Sequence, residues 1–189
     1  MAELDYGAYW RDAFPWQEYL HHQVQQHVAL WHGVWNRAQV PAWALDQARG
    51  LGTGWKLLVI SEDWCGDASN TVPVIARLAE QVDGIEMRVV KRDDNLELMD
   101  AFLTGTARSI PLVVILDAEN RVVGRWGPRP GELQAFVLRE KAAGLRSSSE
   151  IYRDVRQWYA RDKGETTLRE ILAIIAATGG VGGGASGTG

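Results

Sequence analysis

Thiols are almost absent. Cys65 is the only cysteine among 189 residues, which excludes an internal disulfide and leaves any thiol chemistry to one sulfur. Long apolar runs are also missing: LLVI at 57–60 and PLVVIL at 111–116 are strand-length, too short to cross a bilayer. No block of like charge occurs, and 20 Lys and Arg against 24 Asp and Glu give a formal net charge of −4. That balance argues against binding to nucleic acid or to a membrane. His21, His22, His27 and His32 include no i, i+4 pair, so one helical face cannot present two ligands and no metal is expected. Residues 1–16 carry acids and aromatics where a secretory signal needs an apolar stretch, and the expected location is a reducing cytoplasm.

What is present is tryptophan and an alternating pattern. In 15–39, Leu20, Val24, Val28, Trp31 and Trp35 recur at three- and four-residue steps, predicting one helix with a sticky face. The glycines at 50, 52 and 54 end that region. From there the pattern predicts a strand at 55–61, a helix at 66–82, a strand at 85–91 and a short helix at 95–103. Strands at 111–116 and 121–126 follow, joined by the turn Asp117-Ala118-Glu119-Asn120. Helices are expected at 131–143, at 149–161 with Ser149 as cap, and at 166–177. The division is a helical extension (1–50), a central domain (51–145), C-terminal helices packed on it (146–178) and a disordered glycine-rich tail (179–189). This order implies an α/β protein with a mixed sheet and helices on both faces, its first two central strands parallel.

Cys65 falls where a strand gives way to a helix. Free N–H groups of a first helical turn stabilise a thiolate, while Glu62, Asp63 and Asp67 oppose it as like charge. Glu62 and Asp63 read as solvated acids, and Asp67 as an ordinary helix-start acid rather than a general acid. Trp64-Cys65-Gly66 after an apolar strand resembles the active-site start of the thioredoxin superfamily. Pro73, eight residues after the cysteine, matches the proline of that family's active-site helix. Arg108-Ser109-Ile110-Pro111 is similar to the segment ending in its cis-proline, and Gly127 to the glycine after its last strand. The resemblance covers roughly 55–140 and implies a three-layer α/β/α sandwich, here with N- and C-terminal helical extensions.

The departures define the expected chemistry. Ala68 stands at the position of the family's second cysteine, and Val59 at that of its buried acid. The resemblance therefore implies monothiol exchange, with Cys65 as nucleophile and Trp64, Gly66, Asp67 and Ala68 forming the loop around it. Ile110 and Pro111 would align the substrate. No resident cofactor is expected; a low-molecular-weight thiol would act as co-substrate, and the partners would be protein disulfides or small thiols. An iron–sulfur role lacks the Cys-Gly-Phe-Ser loop of monothiol glutaredoxins, and a peroxidase role lacks a Pro-x-x-x-Thr-x-x-Cys pattern. The alternative is a redox-inactive thioredoxin-like module holding a peptide or protein near Trp64 and Pro111. Oligomeric state is not legible.

Overall fold

The structure, a computed structural model, describes residues 4–179. Residues 180–189 of the expected disordered tail lie outside the described residues. The elements run α1 (Tyr6–Asp12), β1 (Phe14–Pro15), α2 (Trp16–Glu18), a π-helical turn (Tyr19–Gln23), α3 (Val28–Arg37) and α4 (Ala42–Arg49). Then come β2 (Trp55–Ser61), α5 (Gly66–Gln81), β3 (Ile85–Lys91), α6 (Leu96–Asp100), β4 (Leu112–Leu116) and β5 (Val122–Trp126). The last three helices are α7 (Gly131–Ala143), α8 (Ser148–Asp162) and α9 (Glu165–Gly179).

The five strands form one sheet in the order β1-β3-β2-β4-β5. β2 and β3 are parallel, with Leu57 opposite Met87 and Val59 opposite Val89. β4 runs antiparallel to both β2 and β5. Strand β2 is central, and Leu57 to Ile60 are fully buried, as expected of a strand covered on both faces. Helix α9 lies on the face carrying Gly124, where a Cβ would fall 2.4 Å from Ile174. The opposite face carries α1: Lys56 and Arg88 reach toward the Trp10 ring.

The N-terminal region departs from the single helix expected over 15–39. Phe14 and Pro15 instead form an edge strand on β3, a place where proline's missing N–H costs no ladder bond. The helix is then interrupted between Val24 and His27, which sits at φ +51°. The cause is a long-range acceptor: Asp63 Oδ2 takes the N–H groups of Gln25 and Gln26, both at 2.8 Å. The apolar stripe still works, because Leu20, Val24, Trp31 and Trp35 are buried, while Val28 is exposed. The four histidines accordingly spread over the π turn, the break and α3, and the rings of His21 and His32 lie 5.3 Å apart. At the other end, α8 is capped by Ser147 rather than Ser149, in a reciprocal capping box with Glu150.

The arm and the central domain share a core. Trp31 is fully buried and packs against Trp16 and Tyr19. Arg77 of α5 stacks 3.4 Å from the Trp35 ring centroid and donates to the Trp35 carbonyl. Helices α7 and α8 form a satellite cluster around Leu133, Val137, Ile151, Val155 and Tyr159.

Candidate functional site

Cys65 is the N-cap residue of α5. The segment before it is tied down twice by the arm: Trp31 Nε1 donates to the Asp63 carbonyl at 2.8 Å, and the Asp63 carboxylate caps Gln25 and Gln26. Asp63 is therefore a fixed acceptor, not the solvated acid expected from sequence. Glu62 departs in the same way. It is buried, its Oε1 accepts from the Asp93 N–H at 2.8 Å, and burial pushes its carboxyl above the ordinary value.

The sulfur faces two sets of groups. The backbone N–H groups of Ala68 and Asp67 stabilise its thiolate. On the other side Sγ donates to the Ile110 carbonyl at 3.5 Å, immediately before the cis Ile110–Pro111 peptide bond. Cys65 is only 8% exposed, and the balance goes against ionisation. Burial pushes the thiol above its ordinary value; the Ala68 N–H opposes this, the Asp67 carboxylate reinforces it, and the Asp67 N–H and Arg129 oppose it. The lowering expected of a helix start is present but outweighed by desolvation.

Asp67 is not an ordinary dipole acid either. It is 8% exposed and pairs with Arg129 through two bonds, Nε to Oδ1 at 2.9 Å and Nη2 to Oδ2 at 2.5 Å. Tyr159 of α8 donates its hydroxyl to Oδ1 at 2.9 Å, and Arg129 also donates to Gln134 at 2.8 Å. Burial lowers the affinity of Arg129 for its proton, but Asp67 more than compensates. Burial and the Asp67 charge push the Tyr159 phenol far up, so it stays a donor. Sequence reasoning missed Arg129 and Tyr159, which lie 62 and 92 residues from Asp67. The only local signal was an arginine between Pro128 and Pro130, just after Gly127.

The remaining expected residues surround the same sulfur. Ala68 is fully buried, so the position of a second thiol is filled by packing. Gly66 has open space where a Cβ would point. Trp64 is 39% exposed, with the Arg92 guanidinium 4.9 Å from its ring centroid. Trp64, Cys65, Gly66, Asp67 and Ile110 line one cleft of about 1520 Å³, whereas Ala68 and Pro111 are buried beneath it and do not line it. One wall is the arm from His27 to Pro41, and the other is α8. Gly127, at φ +122°, packs beneath the floor: a Cβ there would meet the Pro111 carbonyl oxygen at 2.3 Å. Among the described residues, no group of three His, Cys, Asp or Glu is arranged to hold a metal, and no helix is long and apolar enough to cross a membrane.

A family model described as thioredoxin matches residues 13–146. The chain belongs to the thioredoxin superfamily. The match begins at residue 13, so the family pattern takes in β1 and most of the tryptophan-rich arm, well before residue 55 where the motif resemblance started. Among solved structures, a protein of unknown function from Pseudomonas aeruginosa superposes with a TM-score of 0.71 at 19% identity, over 93% of this chain and 99% of that one. An HIV epitope scaffold superposes with a TM-score of 0.70 at 18% identity, over 92% and 99%. At such identities the likeness is one of fold alone. A comparison with curated proteins found no match.

Proposed function

We propose that this thioredoxin-fold protein carries out monothiol thiol–disulfide exchange through Cys65, in a reducing cytoplasm. The observation that carries the reading is the setting of the sulfur: at the N-cap of α5, beside the Ile110 carbonyl, on the floor of an open cleft. The Cys65 thiolate attacks one sulfur of R–S–S–R′, forming Cys65–S–S–R and expelling R′S⁻, which takes up a proton. With Ala68 in place of a second thiol, an external thiol R″SH must attack next. After losing its proton it attacks as the thiolate, yields R–S–S–R″ and restores the Cys65 thiolate; that proton balances the one taken up by R′S⁻, and one disulfide is consumed and one formed. The N–H groups of Asp67 and Ala68 stabilise the thiolate each time it appears. Ile110, which lines the cleft, offers backbone against which an extended substrate can align, the buried cis-proline Pro111 holds that backbone in place, and Trp64 forms the rim.

The raised thiol value supports a resting state that is mostly protonated, so exchange accelerates with pH. The test is intact mass after incubation with hydroxyethyl disulfide: one adduct on the wild type, none on Cys65→Ser, removed by added thiol. If Cys65 stays unmodified in native protein yet reacts once unfolded, the module reading takes over, in which the cleft binds a peptide or protein without chemistry.

A further inference from the structure

The cleft over Cys65 differs from the rest of the molecule in charge. The chain carries more acids than bases, but seven Lys and Arg side chains line the cleft against two acids, Asp67 and Glu165. Four of the seven are engaged: Arg129 with Asp67, Arg108 with Asp100, Arg92 with Asp93, and Lys141 with the Tyr152 hydroxyl. Asp67 is consumed in its buried pair with Arg129 and offers no free charge. Arg37, Arg156 and Lys163 make no ion pair or side-chain hydrogen bond among the described residues. They come from different elements: Arg37 ends α3, Arg156 projects from α8, and Lys163 is the C-cap of α8 at φ +55°. The arm and α8 are the two walls, so unpaired positive charge lines the cleft that holds Cys65 from both sides.

Like charges gathered on the two walls of a cleft repel one another, and an anion entering between them relieves that repulsion; all three side chains are exposed, so salt screens the effect. Such a cleft also concentrates anions from solution before contact. Apolar surface lies between the charges, from Leu30, Val34, Val40 and Val155. The volume exceeds that of a drug-sized pocket, and Cys65 is only 8% exposed between the two walls, a setting that favours a small mobile disulfide over one embedded in a folded protein surface.

We infer that the cleft selects low-molecular-weight, peptide-sized thiols and disulfides bearing carboxylates, which Arg37, Arg156 and Lys163 hold over Cys65. The inference rests on the exchange reading above and names its substrate class: in that exchange, R carries the carboxylates. The mixed disulfide then keeps its anionic group inside the cationic walls while the external thiol attacks.

The experiment compares three small disulfides of different charge: dithiodipropionate (anionic), hydroxyethyl disulfide (neutral) and cystamine (cationic). Each rate with Cys65 is divided by the rate with mercaptoethanol at the same pH, which removes intrinsic reactivity. The inference predicts a normalised preference for the anion over the cation of about tenfold or more at low salt, shrinking as salt is added. Arg156→Gln and Lys163→Gln each lower that ratio, whereas Arg161→Gln, the same charge change on α8 outside the cleft, leaves it in place. Equal normalised rates for all three disulfides overturn the charge inference and leave exchange standing. Faster reaction with the disulfides of native insulin than with dithiodipropionate overturns the small-ligand assignment. If no disulfide reacts, the exchange reading falls, and calorimetry with the thioether thiodipropionate decides the rest. Salt-sensitive binding weakened by Arg156→Gln then upholds the anion site alone, and no binding removes it too.

Discussion

The Cys65 thiol donates a hydrogen bond to the Ile110 carbonyl across 3.5 Å, joining the start of α5 to the cis-proline segment. A carbonyl oxygen accepts from a thiol and repels a thiolate, so this contact works with burial to hold the proton. The N–H groups of Asp67 and Ala68 pull the other way and are outweighed by burial.

The alkylation rate of Cys65 should therefore rise with pH through a midpoint above that of a free thiol, about 8.5. Asp67→Asn removes a charge that opposes ionisation and moves the midpoint down. Arg129→Met removes one that favours it and moves the midpoint up. Iodoacetamide kinetics across pH read all three, and a purely structural role for the ion pair would not give opposite directions.

The same shift has a consequence for stability. A thiol whose folded value is raised binds its proton more tightly in the fold than in the unfolded chain. Folding is then fully favoured below the unfolded value and weakens as pH rises from there through the folded value. Urea unfolding at increasing alkaline pH should show falling stability in the wild type, and Cys65→Ala should flatten that part of the slope.

The Asp67–Arg129 pair is nearly buried, with side chains 9% and 12% exposed. Arg129→Met leaves the Asp67 carboxylate without its partner and should cost about 3–5 kcal/mol. Adding Asp67→Asn should recover part of that loss, so the double variant falls short of the sum. Tyr159→Phe removes a donor to a charged group and should cost about 1.5–3 kcal/mol. Denaturant unfolding of the wild type, Arg129→Met, Asp67→Asn, their double variant and, separately, Tyr159→Phe measures these effects.

Gly127→Ala should destabilise by at least about 2 kcal/mol, because φ +122° is a strained conformation for alanine and its Cβ would collide with the Pro111 carbonyl. Gly66→Ala serves as contrast. Its Cβ meets nothing within 4 Å, and alanine is the better helix former, so thermal unfolding should show no loss.

The central strands were legible because their signals are local. The run at 55–61, the strand at 85–91 and the two strands around Asp117–Asn120 each carry their own apolar pattern and turn chemistry, and the structure places them within a residue of expectation. The family motif could be read for the same reason: Trp64, Cys65, Pro73, Pro111 and Gly127 are fixed residue types at fixed spacings. What sequence could not show were partners supplied from far away. Asp63 breaks a helix 37 residues earlier by taking two of its N–H groups. Asp67 looks like a surface acid until Arg129 and Tyr159 arrive from the far end of the chain. The rank of burial above the helix start at Cys65 likewise depends on partners from elsewhere in the fold, among them Ile110, 45 residues on, and no local pattern announces them.

The most direct test of the account follows one sulfur through a full cycle. Native protein is incubated with hydroxyethyl disulfide at increasing pH, and its intact mass is read before and after adding a small thiol. A single adduct is expected at Cys65, forming faster as pH rises and leaving completely when thiol is added. A native protein that acquires no adduct at any pH, while its unfolded form acquires one, would contradict it.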